Sequence, residues 1–422
     1  MSTPDSYGKY GSDWRQMKRQ PQTYTFTWEP TMGGIDKARW DALARPLQSP
    51  FLEWEWLELM EASGSICAAA GWYPAHLAVW SGDTLVAAAP LYRKIHSEGE
   101  FVDDYVWADL AYRLGIAYYP KLVGMSPVTP VQGYRFLMSP REDAAHLTNL
   151  MLAEIERYCR ENALSGYHFL FTDPDWAHTI PDNRMIAWLH PVLTWKNRGY
   201  QNFADYLARF KANQRRNIIR ERRRVAQLGI TLQPLTGGQI AAEHLELMYR
   251  YYVGTNSKFG SWGCRYLTRD FFTGLMDRFR DRLLLIGAFK NTEGDTPVAL
   301  GMFIYKGDRL FGRYWGCRAD LDTLHFNTCY YRPIEWAIAR GIREFDPGIG
   351  GGHKIRRGFE SVPGCSLHRF MDLEMETIMK MNIGAINRQA RDHIEQINQR
   401  IPFAKREGEG SGGAERGPAD PV

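Results

Sequence analysis

Residues Leu310 to Phe370 read LFGRYWGCRADLDTLHFNTCYYRPIEWAIARGIREFDPGIGGGHKIRRGFESVPGCSLHRF, and most of the unusual chemistry of the chain lies in this stretch. From Leu310 to Trp315 apolar and polar residues alternate as in a half-buried strand, and from Tyr330 to Ile342 the apolar spacing is that of one helical face. Arg343 to Asp346 is short, extended and followed by a turn. Strand, helix and strand in this order form a crossover unit. The loop leaving its second strand lies at a carboxyl end, where α/β sheets bind ligands.

That loop, Pro347 to Phe359, carries glycines at 348, 350, 351 and 352, followed by His353, Lys354, Arg356 and Arg357. Glycines let backbone N–H groups turn toward an anion without a Cβ in the way, and the cations add fixed charge. The loop therefore suits phosphate or carboxylate, with Gly350, Gly351 and Gly352 as the cradle; the competing reading is a mobile, solvated turn. No Gly-Lys-Ser/Thr follows, so this is not a Walker A sequence, and the glycines do not open a helix, so it is not a dinucleotide fingerprint.

Working outward, 422 residues are too many for one compact core, and two domains are expected. With 44% hydrophobic residues and 14 Trp there is ample material to bury. No run approaches the roughly 20 apolar residues of a spanning helix, so no transmembrane segment is expected. The polar start MSTPDSYGKYGSDWRQMKRQ lacks an apolar export segment. Six cysteines lie far apart with no CxxC and no metal-ligand spacing, which predicts reduced thiols, no metal site and a cytoplasmic location. A formal charge of +4 argues against a general polyanion binder, and DNA is not expected as a partner.

Residues 1–22 read as disordered, 23–198 and 199–375 as two domains, 376–402 as a C-terminal helix and 403–422 as a disordered tail. The first domain shows a strand at Tyr24 to Trp28, a helix from Pro50 to Met60, a hairpin of Ala75 to Trp80 with Leu85 to Tyr92, a helix from Ala144 to Glu161 and a strand from Gly166 to Thr172. Between hairpin and helix, His96, Glu98 and Glu100 share one side if the segment is extended, and Lys121 follows; a polar-substrate site and a solvated edge are the two readings. The second domain opens on Phe203 to Gln227, helical, with arginines that include Arg216 and Arg220 and, within the basic run from Arg209 to Arg224, a single acid, Glu221. That local excess would attract a phosphate backbone; a solvated helix face is the alternative. Thr255, Lys258, Trp262, Arg265, Tyr266 and Arg269 interleave polar groups with rings, as the lining of a pocket for an elongated polar ligand would. Helix, antiparallel meander, helix and strand then repeat the order of the first half, giving an α/β (α+β) fold of two mixed, largely antiparallel sheets flanked by helices.

The blocks SPFLEWEWLELMEASGS, GWYPAHL, PLYRKIHSEGEF, WADLAYRLGIAYYPKL, FKANQRRNIIRERRRVAQLGI, GRYWGC, LHFNTCYYRPIEWAIARGI and GGGHKIRRGF together resemble the FemAB-like N-acyltransferases, over roughly residues 48–375. The resemblance implies tandem GNAT domains. It also implies transfer of an acyl or aminoacyl group to an amine of a small metabolite or a peptidoglycan precursor. Acyl-CoA or aminoacyl-tRNA would be the co-substrate, with no tightly bound cofactor. By its place in the HKIRRGF block, Lys354 is similar to the lysine of a Phe-Lys-x-x-Phe-like stretch of the Fem ligases, an electrostatic stabiliser with His353 beside it. The family has Glu where this chain has Gly352 and Asn327, and Tyr where it has Glu98. For acyl transfer, His325, Asp346 and His353 are the candidate proton acceptors. Tyr314 and Tyr330 are donors, and Arg356 with Arg357 a bidentate anion clamp. A non-catalytic module that binds nucleic acid or an envelope precursor is the alternative function.

Overall fold

The computed structural model describes residues 23–404, apart from 182, 261, 262, 293 and 320. The expected disordered start, residues 1–22, lies outside the described residues, as do Trp262 and the tail from 405 onward. Residues 403 and 404 belong to the fold and not to a tail. Phe403 pairs by an isolated bridge with Phe210 and packs its ring 5.1 Å from it, centroid to centroid.

In the first half, β1 (Thr25–Glu29), β3 (His76–Ser81), β4 (Thr84–Ala89) and β7 (Leu137–Met138) form a small antiparallel sheet in the order β1-β3-β4-β7. Four further strands of this half, β2 (Trp72–Pro74), β5 (Leu91–Lys94), β6 (Lys121–Gly124) and β8 (Gly166–Phe169), join an eleven-stranded sheet. In it β6 and β8 run parallel, with the helix Ala144–Glu161 as their crossover. Asp143 caps that helix by accepting from the His146 N–H.

The second half repeats this plan. Its strands β10 (Ile230–Thr236), β11 (Leu283–Lys290), β12 (Ala299–Lys306) and β13 (Arg309–Cys317) form an antiparallel meander, and β13 runs parallel to β14 (Glu344–Asp346) after a helical crossover. The halves are stitched by their last strands. From the first half, β9 (Ile186–Lys196) pairs with β14, and from the second, β15 (Glu360–Phe370) pairs with β8 and β9. The long C-terminal helix Leu373–Gln399 covers β9 and β15. The fold is mixed α+β: two halves of largely antiparallel sheet flanked by helices, closed by a C-terminal helix.

The halves also share a core. Trp56, fully buried on the helix Trp54–Ala62, meets Phe271 and Phe279 of the second half at ring distances of 5.3 and 5.2 Å, and Phe51 meets Phe311 at 5.1 Å. Truncating such an aromatic costs about 3–5 kcal/mol, so the docking of the halves is part of the fold. Above this junction they diverge and leave a cavity.

Two local expectations change. The basic segment is two helices, Phe203–Ala208 and Ala212–Gln227, broken where Phe210 turns into the core. The segment holding His96, Glu98 and Glu100 is a loop and not a strand, so the three do not share a face: Glu100 is buried, while His96 and Glu98 lie nearer the surface.

Candidate functional site

The cavity between the halves has a volume of about 640 Å³. Phe101, Val128 and Pro130 close it from the first half; β13, the crossover helix and the glycine loop close it from the second. Three local irregularities aim side chains into it, and each has a physical origin in the sequence.

The first is a β-bulge. Met302 pairs with Tyr314 but Phe303 pairs with Gly312, which leaves Arg313 as the extra residue of β13. In a regular strand neighbouring side chains point to opposite faces; a bulge re-aims them. As a result Gly312, Arg313, Tyr314 and Trp315 all line the cavity.

The second is a wide helical turn. The crossover helix begins at Leu324–Phe326, widens to a π turn over Asn327–Tyr331 and resumes as α over Arg332–Ala339. Pro333 has no N–H to give to the carbonyl four residues back, so the chain takes a wider turn there and does not break. The turn presents Cys329 and Tyr330 to the cavity.

The third is the glycine loop itself. Gly348, Gly350 and Gly351 adopt φ of 81°, 73° and 83°, a region that other residues resist. A Cβ on Gly351 would sit 2.5 Å from the His353 ring, so this position admits no side chain without moving the histidine. The Gly348 N–H donates to Asp346 Oδ1 at 2.7 Å, and Lys354 Nζ donates to the carbonyls of Gly348 and Ile349 at 2.8 and 3.0 Å. Lys354 is 3% exposed and therefore threads the loop from within.

These features bring Tyr330, His353, Lys354, His325, Tyr314, Tyr266, Gly350 and Gly351 onto one wall or another of the cavity. Tyr330 Oη lies 2.9 Å from His353 Nε2. The His325 ring is 5.5 Å from that of His353, leaning on Trp315 at 4.9 Å. Burial, then the charges of Arg357 and Lys354, pushes His353 down to about 4, so it is a neutral base at physiological pH. Lys354 is pushed down to about 8 by burial, which the charge of Asp346 only partly opposes. Burial raises Tyr330 well above an ordinary phenol, so its hydroxyl keeps its proton.

Other expected residues lie elsewhere. Asp346 does not line this cavity; it faces a smaller cleft of about 200 Å³ beside β9 and β15, and its carboxylate anchors Gly348. Burial raises its pKa, and its place marks it as a loop anchor and not a proton acceptor in the cavity. The arginine pair is no clamp. Arg356 is exposed outside the cavity, while Arg357 is buried, donates to the His353 carbonyl and Glu221 at 2.8 Å each, and stacks 3.4 Å over Phe326. Gly352 begins the 3-10 turn Gly352–Arg357 and lines no part of the cavity. Lys258 is exposed outside it. His96 accepts from the Glu98 N–H, and Lys121 is buried against Glu100 and Asp104 at 2.7 and 2.6 Å, both away from the cavity. Of the residues read as lining a polar pocket, Thr255 and Tyr266 do so, but Arg265 is exposed and Arg269 pairs with Glu246 at 2.7 Å. The chamber they border is walled chiefly by carbon.

Arg216 and Arg220 stand exposed on the outer face of Ala212–Gln227. The inner face of this helix holds the loop: Gln214 donates to the Arg356 carbonyl at 2.8 Å, and Glu221 accepts from Arg357. Thus the single acid of the basic stretch is turned inward and does not neutralise the outer arginines. Asn327, where the resemblance expects Glu, is buried and donates to the carbonyls of Glu221 and Thr323 at 3.1 and 2.9 Å. Neither it nor Gly352 opens on the cavity.

Arg313 is not legible as a cavity residue from the sequence, because strict alternation would turn it away from Tyr314. The bulge that reverses this depends on pairing with β12, which no local pattern shows.

The model of the FemAB-like family, described as peptidoglycan biosynthesis/recognition, matches residues 31–405. No curated protein matches the sequence. Among solved structures, FemX is 11% identical and aligns over 82% of this chain and 98% of its own, with a TM-score of 0.46. The C-terminal domain of a putative lysylphosphatidylglycerol synthetase from Agrobacterium fabrum is 9% identical over 84% and 97%, with a TM-score of 0.49. A tandem GNAT protein from the clavulanic acid biosynthesis pathway is 11% identical over 82% and 98%, with a TM-score of 0.42. No described helix is long and apolar enough to cross a membrane.

Proposed function

The chain belongs to the FemAB-like family of peptidoglycan biosynthesis/recognition proteins, and from that premise we propose that it transfers an acyl or aminoacyl group to an amine in the cavity under the glycine loop. The observation that carries this reading is the Tyr330–His353 approach of 2.9 Å, inside the cavity and beside Lys354. The neutral acceptor amine attacks the donor carbonyl. Its proton passes through the Tyr330 hydroxyl to His353 Nε2 while the C–N bond forms. When the C–S or C–O bond to the donor breaks, the leaving thiol or hydroxyl takes that proton back. Lys354, held behind the loop by two carbonyls, supplies positive potential to the developing oxyanion.

The co-substrate is acyl-CoA or aminoacyl-tRNA, and the acceptor a small-molecule amine or a peptidoglycan precursor in the cytoplasm. The exposed arginines of Ala212–Gln227 favour tRNA, since the one acid on that helix is occupied by Arg357. A second reading, a binding module without turnover, is favoured by the lack of any carboxylate among the described residues that line the cavity.

Donor consumption and amide product, followed by mass spectrometry with acyl-CoA and aminoacyl-tRNA in parallel, separate the two. Transfer predicts product that falls by about 10²–10³ in Lys354→Ala, the usual effect of removing an oxyanion-stabilising group. Donor binding with no product from any donor and amine would leave only the module.

A further inference from the structure

The cavity has an unusual charge pattern. Its described lining includes two cations, Arg313 and Lys354, and no aspartate or glutamate. Lys354 is engaged by loop carbonyls, which leaves Arg313 as the cation facing the chamber. Arg313 Nη2 donates to the Val128 carbonyl at 3.2 Å and more weakly to Tyr314 Oη at 3.4 Å, while its Nε is buried without an acceptor. Among the described residues no carboxylate forms an ion pair with it; Asp346, outside the lining, acts on it only at longer range, and its guanidinium lies 5.7 and 5.3 Å from the Phe51 and Tyr314 ring centroids. Two neutral acceptors and a carboxylate beyond ion-pair distance only partly balance a half-buried guanidinium, which normally sits directly against an anion.

The rest of the chamber is apolar. Phe101, Val128, Leu267, Met302, Phe303 and Ile349 supply much of the wall. At roughly 30 Å³ for each water-sized unit, about 640 Å³ holds a body of roughly twenty non-hydrogen atoms. Such a volume is within the range of small-molecule sites. The cationic residue sits on the bulge beside the glycine loop, since a Cβ on Gly348 would lie 3.2 Å from the Gly312 carbonyl oxygen. Cation and hydrocarbon wall therefore adjoin the Tyr330–His353 pair.

We propose that the cavity binds an anionic amphiphile, with its carboxylate or phosphate head on Arg313 and its hydrocarbon or aromatic body in the apolar chamber. This rests on the acyl-transfer reading only in making that body the acyl arm of a substrate; the site itself is argued from charge and shape. A ligand with a free ammonium head would meet two cations and no carboxylate in the described lining, and is disfavoured.

Calorimetric titration below the micellar concentration tests this without turnover, using dodecanoate, dodecyl phosphate and dodecylammonium as probes. Dodecanoate or dodecyl phosphate should bind, and the preferred one identifies the head group. Dodecylammonium should bind at least tenfold more weakly. Arg313→Met should weaken the anion at least tenfold, and Thr255→Trp, which narrows the chamber and leaves the cation in place, should reduce binding of the twelve-carbon chain while sparing butyrate. Equal binding of the ammonium probe, or anion binding unchanged in Arg313→Met, would overturn the proposal. Circular dichroism of both variants shows whether they fold; if Arg313→Met does not, the ammonium comparison and Thr255→Trp decide. Failure of the transfer assay with these binding results intact would remove the proposed reaction and leave the ligand class standing.

Discussion

Two buried lysines, one in each half, show how the same side chain serves different ends. Lys121 is 1% exposed and Lys354 3%. Lys121 Nζ meets Glu100 at 2.7 Å, Asp104 at 2.6 Å and Ser97 Oγ at 2.9 Å. Burial pulls its pKa down, yet the two carboxylates outweigh burial and the value ends raised. Lys354 has only carbonyl partners and the more distant Asp346, and it ends lowered, at about 8. A compensated cation away from the cavity is architecture. An uncompensated one at a cavity wall is a charge held ready for something else.

The largest effect expected from this contrast is on folding. Lys121→Met would leave Glu100 and Asp104 buried without their counter-charge and should cost about 3–5 kcal/mol in urea unfolding at pH 7. Lys354→Met should cost much less, because it removes a charge that burial already opposes. Equal destabilisation would erase the distinction between the two sites.

The two lysines also separate by pH. Because the pKa of Lys354 falls from an ordinary 10.5 to about 8 on folding, the penalty for burying its charge is full below about pH 8 and is relieved as pH rises toward 10.5. Transfer should accordingly fall above about pH 8 as the cation is neutralised, while His353, depressed to about 4, stays a competent base down to about pH 5. Lys354→Arg, whose charge does not titrate in this range, should flatten the alkaline limb of the rate profile. A limb that persists near pH 8 in that variant would assign it to another group.

The smallest effect concerns the outer arginines. Reversing Arg216 and Arg220 to glutamate should weaken tRNA binding and lower the salt slope by about 1 for each phosphate that is no longer neutralised. Filter binding across a salt series measures it. An unchanged slope would make this face a solvated surface whose only role is to hold the glycine loop from its inner side.

Much of the frame was legible in the chain. The crossover around 310–346 appears as β13, a helix and a parallel β14, because apolar periodicity reports burial, and burial follows the element period. The glycine loop was legible for a related reason: three positive-φ positions in four residues demand glycine whatever surrounds them. The roles of the loop's cations were not. Arg357 looks as available as Lys354 in the sequence, yet one is absorbed by Glu221 and the His353 carbonyl and the other stands at the cavity wall. Lys121 reads as a ligand-binding cation until Glu100 and Asp104 are seen around it.

The order of elements, the position of the loop and the need for glycine in it came from local patterns, because backbone conformation and hydrophobic period are properties of neighbouring residues. Which charges stay uncompensated, and that Arg313 turns inward at a bulge, were decided only by tertiary structure. Counter-charges come from residues such as Glu221, 136 positions from Arg357, and strand register comes from a partner strand. Both depend on the meeting of distant parts of the chain.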